Sequence, residues 1–251
     1  MIRTLLPAYA AGRESTRELT GPTLFEAERR EVADALPARR AEYATVRRLA
    51  RSCLADLGVP PAALVRDIHG APRWPVGTVG SLTHCRGYRA AAVARSRDAD
   101  GVGIDAEPCA PLPSRVLAGV TSAAERAHLA ELGARRPDVP WCQVLFSAKE
   151  AYYKVWYPAM GSWLGFDDAE VVLEPSGDQG TFTVRPVSGG ARRARRADAA
   201  FDPVATGFPA LPGRWTAGTG LVVTAIAAPA GSLPRRAQAG RTATGTLRCA
   251  Q

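Results

Sequence analysis

The chain has 251 residues, 46% of them hydrophobic and 22% charged, a length and composition that bury a substantial core and exclude disorder as the main state. Its 20 prolines and 24 glycines are spread without period, which excludes a collagen-like or low-complexity chain, and no apolar run approaches the roughly 18 residues that a membrane-spanning helix needs. The formal charge of +8 points at first to nucleic acid, but half of it comes from Arg235, Arg236, Arg241 and Arg248, which lie with no acid among them in the last 17 residues.

The first residues, Met1 to Ala11, hold only a short apolar stretch, broken by Pro7, too weak for a secretory signal. The five cysteines, at 53, 85, 109, 142 and 249, are odd in number and form no C-x-x-C pair. Neither a zinc site nor a disulfide framework is indicated, and a reduced, cytoplasmic setting is expected.

From Pro37 to Leu57 the residues Tyr43, Val46, Leu49, Ala50, Cys53, Leu54 and Leu57 recur at the three-and-four spacing of one helical face, with Pro37 in the first turn and Gly58 and Pro60 closing it. The opposite face is basic: Arg40, Arg47 and Arg51 form a stripe flanked by Arg39 and Arg48. It reads either as a solvated charged face or as a rail for phosphates. Pro60 to Pro75 reads as a punctuated connection, and Thr78 to Ala94 and Gly101 to Ala106 as short strands or a strand with a small helix between. Thr121 to Leu132 begins like a capped helix with Glu125 near its start, and Leu145 to Trp156 is a second apolar-periodic segment. Ala169 to Leu173, Thr181 to Val184 and Leu221 to Ile226 read as strands. The order predicts an α+β fold of two similar halves with a seam near residues 108–115: residues 1–110, residues 111–229, and a basic tail over 230–251 expected to be disordered.

Two segments carry chemistry. In Gly101-Val102-Gly103-Ile104-Asp105-Ala106-Glu107-Pro108 an apolar strand ends in carboxylates at i and i+2. Period two puts both on one face, where their repulsion calls for a cation. A dinucleotide fingerprint needs a third glycine and a following helix, and neither is present. Exposed acids at a strand end are one reading; a Mg²⁺ site is the other, because that ion prefers a few hard oxygen ligands. The second segment, Phe146-Ser147-Ala148-Lys149-Glu150-Ala151-Tyr152-Tyr153-Lys154, adds a third acid in helical context. Of the 32 basic residues only Lys149 and Lys154 are lysines, and Lys and Arg are not interchangeable.

Together G-V-G-I-D-A-E and F-S-A-K-E-A-Y-Y-K, about 45 residues apart, resemble the two signatures of the 4′-phosphopantetheinyl transferases, of the monomeric Sfp-type or enterobactin-synthetase-component-D-like branch. Trp74-Pro75 and Val79-Gly80-Ser81-Leu82-Thr83-His84-Cys85 are similar to an upstream family segment, and Trp163-Leu164-Gly165-Phe166 to actinobacterial-type members. The resemblance implies two pseudo-symmetric halves with the active site between them, and Mg-dependent transfer of the phosphopantetheine arm of coenzyme A to a serine of a carrier protein. Adenosine 3′,5′-bisphosphate is released. Asp105 and Glu107 would bind Mg²⁺ (or Mn²⁺), with the Ala106 carbonyl and Glu150, and Glu150 would be the general base. Arg39, Arg47, Arg66, Thr83 and His84 would hold the adenosine phosphates, with Arg39 and its neighbour Arg40 not distinguished. Lys149 and Lys154 would face the pyrophosphate, and Tyr153, Trp163 and Leu164 would line the pantetheine channel. Partners would be acyl, peptidyl or aryl carrier proteins of fatty-acid, polyketide or nonribosomal-peptide synthases, met by a cytoplasmic monomer with no nucleic-acid or membrane partner. The competing reading, a non-catalytic arginine-rich nucleic-acid-binding protein, predicts bases interleaved with stacking aromatics, and the Arg193 to Arg196 cluster has none.

Overall fold

The computed structural model describes residues 1–19, 24–188 and 202–234. The Arg193 to Arg196 cluster and residues 235–251 of the expected tail lie outside the described residues. Two antiparallel sheets carry the fold. The first has the order β1 (Ala10–Ser15), β3 (Tyr88–Arg95), β2 (Thr78–Cys85). The second has the order β4 (Ala99–Pro108), β8 (Leu221–Pro229), β7 (Leu211–Gly218), β6 (Gln179–Pro186), β5 (Ala169–Ser176). The helices are α1 (Ile2–Leu5), α2 (Glu26–Glu31), α3 (Pro37–Asp56), α4 (Ser114–Val120), α5 (Ala123–Arg135) and α6 (Trp141–Met160).

Alternation along the strands builds four layers. On β3, Ala91 and Val93 meet Leu49, Ala50, Cys53 and Leu54 of α3, while Ala90, Ala92 and Ala94 face Val102, Ile104, Val223 and Ala225 of the second sheet. The other face of that sheet, through Val171, Phe182, Trp215 and Ile226, packs on Leu145, Ala148, Tyr152 and Trp156 of α6. The order is thus α3, first sheet, second sheet, α6. Small alanines on both faces of β3 let the layers approach closely.

The glycines of the strand that ends in two acids are explained by packing. A Cβ on Gly103 would overlap the Ala151 carbonyl of α6, and one on Gly101 would crowd Val155, so these positions bring α6 onto β4 rather than cradle a phosphate. Thr224 on β8 reinforces the contact, its hydroxyl lying 2.8 Å from Ser147 Oγ and donating to the Ser147 carbonyl at 3.0 Å.

At its other edge β4 runs beside β2 without sharing a backbone ladder. Ser81 Oγ accepts the Ile104 N–H at 3.1 Å and Thr83 Oγ1 accepts the Ala106 N–H at 3.2 Å. Two hydroxyl side chains thus satisfy backbone donors that a sheet neighbour would otherwise take, and they splice the sheets together at the strand bearing Asp105. β4 falls within residues 1–110, the first of the two halves expected from the sequence, yet its ladder partner is β8 of the second. Ala230–Pro234 continue from β8: Leu233 is buried and its N–H donates to Asp100 Oδ2 at 2.9 Å.

The long periodic segments form the expected helices, and the Thr78 to Ala94 region is a hairpin turned at Gly87, with φ +80. β1, β7, α1, α2 and α4 have no counterpart in the sequence reading, and α6 extends past the expected Leu145 to Trp156 at both ends. Among the described residues no helix is long and apolar enough to cross a membrane.

Candidate active site in the cleft between the sheets

A cleft of about 590 Å³ opens between α3, the connection 66–72, β2 and α6, and among its lining residues are Arg39, Arg47, Arg66, His84, Glu150, Tyr153 and Lys154. A narrow slot of about 90 Å³ shares Glu150 and Tyr153 with it and is closed by Trp163, Leu164 and Phe166. A larger hollow of about 680 Å³ lies around Met1, Glu14 and Tyr88; it includes Arg48 of the basic helix face but none of the candidate site residues. The chemistry therefore concentrates in the smaller, mixed-charge cleft.

Behind the cleft-lining Lys154, Asp105 is buried at the seam of the sheets. Its Oδ1 accepts from Lys154 Nζ at 2.8 Å and from Thr83 Oγ1 at 3.2 Å, while its buried Oδ2 has no partner. Lys154 Nζ also donates to the Ile104 carbonyl at 3.0 Å. Glu107, two residues along the same face, has its carboxyl pushed up to about 7 by burial and then by the Asp105 charge. Glu150 on α6 is likewise raised, by burial first and by Asp105, against the opposing pull of Lys154. Glu107 and Glu150, partly buried beside the Asp105 charge, thus hold their protons more tightly than acids in water.

A hard divalent cation suits the oxygens of this cluster, and the orphaned buried Asp105 Oδ2 is the observation that fits one best, since a buried carboxylate oxygen without a partner is costly. Among the described residues no three His, Cys, Asp or Glu side chains already converge into an ion-holding group. The acids form a partial site, with the Lys154 ammonium on the oxygen next to the free one.

The opposite wall carries cations. Arg39 Nη1 meets the His84 ring and Glu42 Oε2, the latter at 3.4 Å. Burial, and then the Arg39 charge, lower the His84 pKa. Arg47 is buried, stacks over the Tyr43 ring at 3.8 Å and donates to the Leu64 carbonyl at 3.1 Å. Arg66 donates to Glu31 through Nε at 3.2 Å and through its backbone N–H at 2.7 Å. Of the two neighbouring arginines, Arg39 lines the cleft, whereas Arg40 bonds the carbonyls of Ala33 and Ala35 before the helix. Arg51, of the same basic stripe, pairs with the buried Glu28 at 2.7 Å.

Two expectations need correction. Lys149 does not face the cleft with Lys154. Its side chain is only 2% exposed, and Nζ donates to the Val120 carbonyl at 2.8 Å, Glu125 Oε2 at 2.9 Å and the Phe166 carbonyl at 2.8 Å, which uses all three N–H bonds. Thr83 is buried at the sheet seam, where its hydroxyl orients Asp105 and holds the Ala106 N–H instead of reaching toward a phosphate. Tyr153 and Trp163 do come together, with ring centroids 5.1 Å apart, and Leu164 is buried beside them in the slot.

Sequence reading undervalued Glu125. The Ser122-x-x-Glu125 spacing announces a capping box, and the box is present: Ser122 Oγ accepts the Glu125 N–H at 3.1 Å and Glu125 Oε2 accepts the Ser122 N–H at 2.7 Å. The buried pairing with Lys149 has no local signal. It depends on α5 and α6 meeting in space.

Compared with known families, residues 27–94 match the 4'-phosphopantetheinyl transferase N-terminal domain and residues 101–198 the 4'-phosphopantetheinyl transferase superfamily. The chain is 49% identical over 261 residues to 4'-phosphopantetheinyl transferase Svp of Streptomyces mobaraensis, covering 100% of this chain and 99% of that protein. It is 43% identical over 197 residues to 4'-phosphopantetheinyl transferase PptT of Mycobacterium tuberculosis, covering 78% and 82%. It is 40% identical over 237 residues to 4'-phosphopantetheinyl transferase Npt of Nocardia iowensis, covering 90% and 99%.

Proposed function

The chain belongs to the 4'-phosphopantetheinyl transferase superfamily, and on that premise we propose that it moves the 4′-phosphopantetheine arm of coenzyme A onto a serine of an acyl, peptidyl or aryl carrier protein. The observation that carries this reading is that Arg39, Arg47, Arg66 and His84 line one cleft with Glu150 and Lys154, and that Lys154 joins this cleft to the acids of β4 through Asp105 at 2.8 Å.

In the proposed division of labour, residues 1–110 supply the wall for the coenzyme's phosphates and residues 111–229 the helix that bears Glu150 and Lys154. Arg39 and His84 suit a terminal phosphate, and Arg47 and Arg66 the adenosine side, because charge-assisted bonds to phosphate oxygens are strong and directional. Tyr153, Trp163 and Leu164 offer the arm an apolar slot beside Glu150.

Asp105, Glu107 and Glu150, with the Ala106 carbonyl, would hold Mg²⁺ (or Mn²⁺), which when bound supplies Lewis-acid stabilisation of phosphoryl oxygens. The chain's own part is proton transfer and charge placement. Glu150, with its raised proton affinity, accepts the proton of the attacking serine hydroxyl, directly or through one water. A bond forms between the serine oxygen and the β-phosphorus as the bond from that phosphorus to the bridging oxygen breaks. The electron pair leaves on adenosine 3′,5′-bisphosphate, and the Lys154 ammonium at the cleft floor neutralises charge gathering on the transferring group. Thr83 keeps Asp105 in register throughout.

The acceptors we propose are carrier proteins of fatty-acid, polyketide or nonribosomal-peptide synthases, met by a cytoplasmic monomer. The test is the intact mass of candidate carrier proteins incubated with the protein, coenzyme A and Mg²⁺. One pantetheinyl adduct on the carrier serine is expected; no adduct on any carrier class sinks the reading.

A further inference from the structure

The one buried lysine of α6 is tied to a wall of the slot rather than to the cleft. Lys149 Nζ reaches three acceptors on three separate segments: the Val120 carbonyl at the end of α4, Glu125 in the first turn of α5, and the Phe166 carbonyl in the loop after α6. Glu125 extends the tie, because its Oε1 accepts the Val171 N–H of β5 at 2.9 Å. Both charges are buried, and every hydrogen-bonding position of the ammonium is filled. Such a pair adds little net stability over an apolar one, but it strongly specifies geometry, since each partner left alone would be a buried charge.

What it specifies is the segment 163–166. Three contacts fix this loop against α6: Trp163 on Tyr153, the Phe166 ring on Phe146 with centroids 5.5 Å apart, and the Phe166 carbonyl on Lys149 Nζ. The same loop forms one side of the narrow slot whose other side is Lys149, Glu150 and Tyr153 of α6. Lys149 and Glu150 are sequence neighbours, so the residue beside the reacting carboxylate anchors the wall facing it.

We propose that the Glu125–Lys149 pair positions the wall of the arm-binding slot, so that it governs how the pantetheine arm is held and has no contact with the phosphates. The inference rests on the assignment of the slot to the arm. Lys149 and Glu125 are positioning residues in this scheme, acting through Trp163, Leu164 and Phe166.

The test separates arm from phosphates with two ligands. Adenosine 3′-phosphate 5′-diphosphate carries both the terminal phosphate and the pyrophosphate but no arm; coenzyme A carries all three. For Lys149→Met the dissociation constant of the armless ligand is expected to stay within about twofold of the parent, while coenzyme A binds roughly tenfold more weakly, as for a site whose support has loosened by a fraction of an ångström. The KM for coenzyme A rises in step, and amide exchange over residues 163–168 accelerates. Glu125→Gln/Lys149→Gln, which leaves no buried charge uncompensated, is expected to repeat the selective loss and serves where the single variant does not fold. Equal weakening of both ligands, or unchanged coenzyme A binding, overturns the proposal. If the parent protein binds coenzyme A no more tightly than the armless ligand, the slot assignment itself fails.

Discussion

The two walls of the cleft handle charge in opposite ways. On the α3 side most of the charge is already matched: Arg39 pairs with Glu42 at 3.4 Å and Arg66 with Glu31 at 3.2 Å, Arg51 behind the cleft lining pairs with Glu28 at 2.7 Å, and Arg47 stacks on the Tyr43 ring. On the β4 side the acids are under-compensated. Asp105 keeps a buried oxygen without a partner, and Glu107 and Glu150 are both pushed toward protonation. A chain with a formal charge of +8 thus presents its unmet electrostatic demand as negative charge. The difference teaches that total charge says little about a site, and that the matched wall should be robust where the unmatched wall is sensitive.

The largest effect is expected at the unmatched wall. Asp105→Ala should lower the rate of carrier modification by roughly three orders of magnitude or more, since it removes an acid from the place where phosphoryl charge is handled. The thermal midpoint should change little, because Lys154 keeps the Ile104 carbonyl. Initial rates by intact-mass assay decide it, and more than a tenth of parental activity would separate Asp105 from the chemistry. Glu150→Gln should follow at about 10²- to 10⁴-fold, the usual contribution of a positioned proton acceptor.

At the matched wall the large effect should fall on stability instead. Glu28 is fully buried and accepts from Arg51 Nη1, from the Leu64 N–H at 2.8 Å and from the Phe25 N–H at 2.9 Å. Glu28→Gln removes the buried charge that Arg51, the Leu64 N–H and the Phe25 N–H all bond, and should cost about 3–5 kcal/mol in a denaturant titration. The fraction that remains folded should turn over normally. Activity falling in parallel with Asp105→Ala would erase the contrast between the walls.

How far the sequence reveals this depends on whether the signal is local. α3 and α6 are legible from period 3.6, and the acids of β4 from period two. β7 is less so, because Gly213 lies in its interior and, although it turns directly into β8, its other ladder partner β6 lies across a long connection. The two lysines make the same point at the site. Five residues along a helix turn the side chain by roughly 140° from its start, so Lys149 and Lys154 leave α6 on different faces, one into a buried socket and one into the cleft. A shared motif invites a shared role. Helical geometry denies it, yet only the packing of α5 against α6 shows what lies on the buried face. Thr83 is a similar case, because the β2–β4 seam that claims its hydroxyl joins strands about 20 residues apart without a ladder.

A smaller effect concerns pH. The Glu107 carboxyl titrates near 7 in the folded metal-free protein and near its ordinary value of 4.5 in the unfolded chain. A carboxyl raised on folding favours the folded state while it is protonated there, so its contribution is fully present below about pH 4.5 and is lost as pH rises to about 7. In the absence of divalent cations the thermal midpoint should therefore carry a component that declines across this window, and Glu107→Gln should flatten it. Added Mg²⁺ should raise the midpoint chiefly above the window, where the acids are ionised. A parent and variant with superimposable pH profiles would show that Glu107 is solvated like an ordinary surface acid.

The smallest effect is the sharpest test of the arginine wall, because it compares neighbours. Arg39 lies in the cleft against His84, whereas Arg40 turns back onto the Ala33 and Ala35 carbonyls that precede α3. If the cleft takes the coenzyme's phosphates, Arg39→Ala removes one charge-assisted bond and should raise the KM for coenzyme A roughly tenfold, about 1–2 kcal/mol. The full strength of a free guanidinium is not expected, because Glu42 already holds Arg39 at 3.4 Å and competes with an incoming phosphate. Arg40→Ala should shift KM by less than about twofold, as exposed cations far from a ligand do. The ratio of the two values, measured with one carrier protein at fixed ionic strength, cancels any general effect of lowering the chain's charge. A ratio near unity would mean that α3 acts on the coenzyme only through its summed field, and the matched wall would then be a solvated face after all.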